Sequence, residues 1–282
     1  MLVRFVLLMA LGVPPLLAAE PSVVLRVGAG RADITPGTDV RNWVTGKPYG
    51  EVLDPHAVHV LTLDDGVTRA AVVRWDLTDV SESSRDEVRR VIEAATGIPG
   101  GNILVNASHT HSAPWSPVYR DGYRGRERDN WWALRYMPAQ NDHPPFRAWM
   151  QRLLDASVEA TKAALAAARP ASVSIGRVSV AEYLYNRRPR APGWGLVEPK
   201  AVRTMAASSP DWNAAVLTGG ATFGPMDRTL SLLWLRADDG RNLATVYHAS
   251  VHSVSIYPSH PGISADWPGP ASAALAGAFG GE

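Results

Sequence analysis

Cysteine is absent from this chain of 282 residues. No disulfide framework, thiolate nucleophile or Cys-ligated metal site can form, so a metal must be held by His, carboxylate or Tyr and a nucleophile must be Ser, Thr or water. An excess of charge is lacking too. Lys and Arg number 28 against 27 Asp and Glu, a net charge of +1, whereas a polyanion-binding surface needs surplus cations to neutralise phosphates. Nucleic acid is therefore excluded as a partner. There is no Gly-X-Ser-X-Gly elbow and no His-Glu-X-X-His helix. Gly28-X-Gly30 lacks the third glycine of a dinucleotide fingerprint. What remains is an ordinary globular composition, 46% hydrophobic and 20% charged, with enough chain for one large domain or two small ones.

The N-terminus reads as a signal peptide. Arg4 gives the positive start, Phe5 to Leu17 is apolar but broken by Pro14 and Pro15, and Ala18-Ala19 offers a small-residue cleavage site before Glu20. The run is shorter than the about 20 apolar residues of a bilayer span. The expectation is a leader over residues 1–19 and a mature chain over 20–282, secreted or periplasmic.

Beyond Val23, strand-like and helix-like patterns alternate, which predicts an α/β fold of mixed β-sheets flanked by helices. Val23 to Val27 reads as a strand ending in a Gly-rich turn at Gly28-Ala29-Gly30. His56–Leu63 and Ala70–Trp75 form a hairpin around Asp64-Asp65-Gly66, and Leu230–Leu235 and Leu243–Tyr247 form another around Asp238-Asp239-Gly240. A helix starts near Ser83-Ser84 and stops at Gly97, a short buried strand runs from Asn102 to Asn106, and a long helix covers about Pro145 to Ala168. The stretches Pro114–Pro145 and Asn186–Pro225 lack regular pattern and are rich in Arg, Trp, Pro and Tyr. Long segments of that kind commonly build a binding cleft. Trp131, Trp132, Trp194 and Trp212 are its candidate apolar lining, packing of the loops being the alternative.

The chemistry concentrates in two histidine clusters. Asn106-Ala107-Ser108-His109-Thr110-His111-Ser112-Ala113-Pro114 follows the short strand, and in an extended segment residues two apart face the same way. His109 and His111 can then approach one metal, or one binds it while the other faces substrate. The second cluster, His248, His252 and His260, precedes Ile263-Ser264-Ala265-Asp266-Trp267-Pro268. Ligands from separate elements are usual in a catalytic zinc site. Three plainer roles compete: His248 as a core-facing strand residue, His260 as a solvent-exposed turn residue, and Asp266 as the cap of a helix starting near Pro268. The pair Arg187-Arg188 after Asn186 is either surface charge or a guanidinium fork for an oxyanion.

In order, these segments resemble the neutral/alkaline (non-lysosomal) ceramidase family. Val27-Gly28-Ala29-Gly30-Arg31-Ala32-Asp33-Ile34-Thr35-Pro36 resembles the start of that family's mature domain. Asn106 to Pro114 resembles its Asn-Ala-Thr-His-Thr-His-Ser-Gly-Pro motif, with Ser108 for Thr and Ala113 for Gly. Asn186-Arg187, Gly224-Pro225-Met226-Asp227, Val251-His252-Ser253 and Ile263-Ser264-Ala265-Asp266 also have counterparts in it.

The resemblance implies a hydrolase of the N-acyl amide bond of ceramide or a ceramide-like lipid, working through metal-activated water with Zn2+ as cofactor. His109 and His252 would be zinc ligands, His111 would contact the reacting group, and Arg187 would assist at the scissile amide. A lipid substrate brings with it the expectation of peripheral contact with a membrane surface. The family's further Glu and Tyr ligands and its Gly-Asp-X-Ser-Pro segment have no counterpart before Glu282. The expectation is thus a partial catalytic domain whose own activity is open. Two other readings stay open: a secreted lipid- or glycan-binding module without catalysis, and a metallohydrolase acting on another amide. A barrel-type amidohydrolase ranks below them, because Lys47, Lys162 and Lys200 lie in no strand-end motif that could bridge metals.

Overall fold

A computed structural model describes residues 24–43, 45–119, 140–184, 189–190, 222–223, 227–257 and 259–282. The leader, Asn186-Arg187-Arg188, the four candidate cleft tryptophans and Gly224-Pro225-Met226 lie outside the described residues.

Seven strands form one mixed sheet: β1 (Arg26–Asp33), β2 (Ala57–Asp64), β3 (Arg69–Trp75), β4 (Ile103–Ala107), β5 (Arg169–Ser179), β6 (Thr229–Ala237) and β7 (Asn242–His248). Their order is β4-β3-β2-β1-β5-β6-β7. The two predicted hairpins are present as β2–β3 and β6–β7. In the first turn Asp65 Oδ1 accepts the N–H groups of Val67 and Thr68, and Gly66 takes φ +85°. These are the roles for which Asp and Gly are selected in turns. Only β3 and β4 run parallel, linked by α1 (Glu82–Thr96). Ser81, ahead of the predicted Ser83-Ser84, is the N-cap of α1 and accepts from Ser84 N–H at 3.1 Å, while Gly97 closes the helix at φ +74°.

The long helix α2 (Pro144–Ala167) lies with α1 on one face of β1–β4. Its spaced Phe146, Trp149, Leu153, Ala156, Ala160 and Ala164 meet Ala32, Val58, Val60, Val73 and Trp75 in the main core. Two buried indoles are satisfied within this layer: Trp75 Nε1 donates to Ser157 Oγ at 3.0 Å and Trp149 Nε1 donates to the Ile34 carbonyl at 2.6 Å. Each would otherwise cost the desolvation of a buried donor.

Two expectations are corrected here. Gly28-Ala29-Gly30 is no turn but the middle of β1. A Cβ on Gly28 or Gly30 would overlap the carbonyl oxygens of Ala164 and Ala160, so the glycines are there to let α2 lie against the strand. The segment 102–106 is not a buried strand either. β4 is a sheet edge, with Leu104 55% exposed, because it pairs on β3 alone.

Strand β5 joins β1 through only two register pairs, Arg26↔Pro170 and Val27↔Arg169. The sheet folds at that narrow seam, and β7 comes to touch β1 although the two are not hydrogen-bonded neighbours. A second small core of Val27, Leu235 and Ala244, flanked by Leu61, Leu63 and Ala171, fills the fold. Helix α3 (Pro268–Phe279) packs beside β7, with Tyr247 Oη donating to the Pro268 carbonyl at 3.0 Å. No helix among the described residues is long and apolar enough to cross a membrane.

Candidate metal centre

The centre is assembled from two loops that follow strand ends. After β4 the chain takes one more sheet bond, Ser108 N–H to the Trp75 carbonyl at 2.9 Å, and then turns sharply at His109, whose φ is +64°. Non-glycine residues at positive φ are uncommon, and His is among the types that tolerate the left-handed region best. This corrects the expectation of an extended His-X-His. The rings of His109 and His111 do meet, with centroids 4.9 Å apart, but through a turn and not through strand alternation.

The first loop is then stitched to the second. Thr110, fully buried, donates through Oγ1 to the Ser264 carbonyl at 2.7 Å, and Ser264 N–H donates to the Ser112 carbonyl at 3.0 Å. His111 N–H donates to the Ser253 carbonyl at 3.2 Å, and Ser253 Oγ donates back to the Ser108 carbonyl at 2.9 Å. These bonds fix the position of His252, whose carbonyl accepts Val254 N–H in a tight turn. Its ring lies 4.8 Å from that of His109 and 4.7 Å from that of His111.

His109, His111 and His252 each offer one nitrogen, and these atoms lie within 4.8 Å of one another. Tetrahedral zinc at Zn–N of about 2.0–2.1 Å needs donors about 3.4 Å apart, a separation that lies within this bound. The donor chemistry fits a metal ion. His109 Nδ1 lies 2.6 Å from the Thr78 carbonyl, an acceptor only, so Nδ1 carries the proton and Nε2 is left with its lone pair. His109 is exposed and the other two are half-buried, which leaves the cluster open on one side.

Several neighbours of the centre carry no sequence motif. Trp43 and Trp115 are buried edge to face with ring centroids 5.1 Å apart, and Trp43 and Tyr257 flank His111 at 5.9 and 5.8 Å. Asp54 grips the second loop by accepting Ser264 Oγ–H and, at 2.7 Å, Ala265 N–H. Tyr257, five residues beyond His252, and Asp54, just before the first hairpin, had no spacing signal that would single them out.

The remaining candidates do not join. His248 is exposed, not core-facing. His260 is a half-buried turn residue that pairs with Glu51 at 3.3 Å and accepts Gly262 N–H. Asp266 does not cap α3, whose N-cap is Trp267 without a side-chain bond. It sits at φ +55°, and its carboxylate accepts the N–H groups of Ser255, Ile256 and Trp267. Arg187 lies outside the described residues.

No family model matches the sequence, and no curated protein does. Solved structures do match. Neutral ceramidase from Pseudomonas aeruginosa superposes with a TM-score of 0.59 at 18% identity, over 90% of this chain and 36% of that one. A ceramidase complexed with C2 gives a TM-score of 0.60 at 18% identity, over 90% of this chain and 35% of that one. The fold is ceramidase-like. The chain spans about a third of the length of either ceramidase, and the ceramidase-like fold brings together His109, His111 and His252.

Proposed function

We propose that this chain carries the metal-binding part of a zinc-dependent hydrolase of N-acyl amide bonds, with ceramide or a ceramide-like lipid as substrate. The observation that carries the reading is the convergence of His109 and His111 from one loop with His252 from another, on a ceramidase-like fold. His109, through Nε2, and His252 would hold the ion, and His111 would face the reacting group. When bound, zinc polarises a carbonyl and brings the pKa of a coordinated water towards about 7. The Thr78 carbonyl accepts from Nδ1 of His109, which fixes the ring in one orientation and turns Nε2 to the side a metal would occupy. His111, fixed by its N–H bond to Ser253 and by the rings of Trp43 and Tyr257, is placed to donate a hydrogen bond to the amide oxygen. By the family resemblance, Arg187 would add a guanidinium donor at the scissile amide.

The reading includes export: residues 1–19 act as a leader, and the mature chain works outside the cytoplasm at the periphery of a membrane. Mass spectrometry of the exported protein tests this, since it should begin at Glu20. For the activity, release of fatty acid from an N-acyl-labelled ceramide should depend on added zinc and vanish in His109→Ala and His252→Ala. Zinc uptake without turnover by the 282-residue chain would leave a metal-binding module. No zinc uptake at all would end the hydrolase reading.

A further inference from the structure

A cavity of about 350 Å3 lies apart from the histidine cluster, between β1–β3, the edge of β7 and helix α3. None of the three histidines lines it, although their chain neighbours Ser108 and Val251 do. Its floor is set by register. Arg31, His59 and Arg74 stand across from one another on adjacent strands, and Ala29, Leu61 and Val72 form the next row on the same face. Val246 of β7 and Leu275 of α3 add further apolar lining. The cavity is therefore apolar along its length and charged at one end.

The charges at that end are not equivalent. Asp76, buried, is committed: Oδ1 pairs with Arg74 at 2.9 Å and Oδ2 accepts Ala57 N–H at 3.0 Å. His59 is left between two carboxylates, 4.0 Å from Asp76 and 3.7 Å from Glu282. Glu282 is held below the ordinary carboxyl range, first by His59 and also by the charge of Arg31. A carboxylate of the chain itself thus sits beside His59 at the mouth of an apolar cavity, where Arg31 and Arg74 are the lining cations and Asp76 the other lining anion. The Glu282 backbone is anchored independently, its N–H to the Leu243 carbonyl at 3.2 Å and its main-chain oxygen accepting Thr245 N–H at 2.7 Å. The side chain is half-exposed and its contact with His59 is longer than a hydrogen bond, so swinging it aside costs little.

We propose that this cavity binds a carboxylate-headed acyl chain of medium length, its head taking the place of the Glu282 carboxylate at His59 and Arg31 and its tail lying along Leu61, Val72, Val246 and Leu275. The site is distinct from the histidine cluster and does not depend on zinc. Mostly apolar walls with a few converging polar groups are the usual form of a small-molecule site.

Calorimetric titration of the 282-residue chain with decanoate, below its micellar concentration and in EDTA to remove any metal contact, tests the assignment. Saturable binding of one decanoate per chain is expected, with decan-1-ol about tenfold weaker because it lacks the charge-assisted bond. His59→Ala should weaken decanoate by a similar factor, and Glu282→Gln, which removes the internal competitor, should tighten it. A photoreactive decanoate analogue should label β3, β7 or α3 of the unaltered protein. Equal affinity for the alcohol, or labelling of residues 109–111 and 252 instead, would overturn the proposal. So would absence of binding in both the unaltered protein and Glu282→Gln.

Discussion

His109 Nδ1 and the carbonyl oxygen of Thr78 lie 2.6 Å apart, which settles the tautomer of the most exposed histidine in the cluster. The carbonyl cannot donate, so the ring must, and its other nitrogen is free to act as a ligand. The chain should therefore bind one zinc ion. His109→Ala and His252→Ala should each cost more than the roughly 10–100-fold in affinity that loss of an orienting partner costs, since a direct ligand is removed. Competition against a chromogenic chelator measures this. Unchanged affinity in both variants would place the ion elsewhere.

Gly28 and Gly30 predict a stability effect unrelated to turns. Each faces a backbone carbonyl of α2, and neither Ala164 nor Ala160 can yield without moving the helix. Gly28→Ala should destabilise by about 3 kcal/mol, the upper part of the range for overpacking a dense core. Gly101→Ala is the control, because a Cβ there meets open space. Urea unfolding of the two variants should separate them clearly; equal midpoints would show that α2 is free to shift.

The same glycines show where sequence reasoning succeeds and fails. The hairpins and α1 are legible because their signals are local: Asp-Asp-Gly at the turns, Ser83-Ser84 (two residues past the true cap Ser81) and Gly97 at the helix ends, apolar spacing between them. Gly28 and Gly30 mislead because a glycine needed for close approach looks like a glycine needed for a turn. The two histidine loops are legible as motifs, and their convergence is legible only through the family resemblance. It depends on Thr110, Ser253 and Ser264 bonding across elements distant in sequence. Trp43, Trp115 and Tyr257 reach the site through tertiary packing alone, which leaves no periodic trace in the chain.

His56 predicts a pH dependence of folding. The ring is fully buried, and burial lowers its pKa below the ordinary 6.5, against the opposing pull of Asp76, the Ser264 backbone, Asp54 and Asp33. Above pH 6.5 the ring is neutral in both folded and unfolded states and contributes no pH dependence. As pH falls below 6.5, the unfolded chain takes up a proton that the folded protein resists, so stability declines until the lowered folded pKa is reached. The slope approaches about 1.4 kcal/mol per pH unit for one proton. His56→Leu should flatten the curve between pH 6.5 and the acid limb, as read from urea midpoints at several pH values. Parallel curves for the two proteins would show that His56 titrates normally.

Asp266 should be the least replaceable residue of the second loop, for two separable reasons. Its carboxylate accepts three backbone N–H groups, from Ser255 at 3.0 Å, Ile256 at 3.0 Å and Trp267 at 2.7 Å, and its φ is +55°. Asp266→Gly removes the acceptor but suits the backbone. Asp266→Ala removes the acceptor and adds about 1 kcal/mol of left-handed strain. Asp266→Asn tolerates the φ and keeps one oxygen acceptor, but loses the charge and the second acceptor. The expected order of stability is Asp, then Asn, then Gly, then Ala. The Ala variant should lose about 5 kcal/mol or more, because three hydrogen bonds to a charged group, each worth about 1.5–3 kcal/mol, go together with the added strain. The turn bearing His252 lies just before the anchored Ser255, so zinc affinity should fall in the same order. Gly and Ala variants of equal stability would mean that the left-handed backbone carries no strain. An Asn variant as stable as the parent protein would mean that one oxygen suffices to hold the loop.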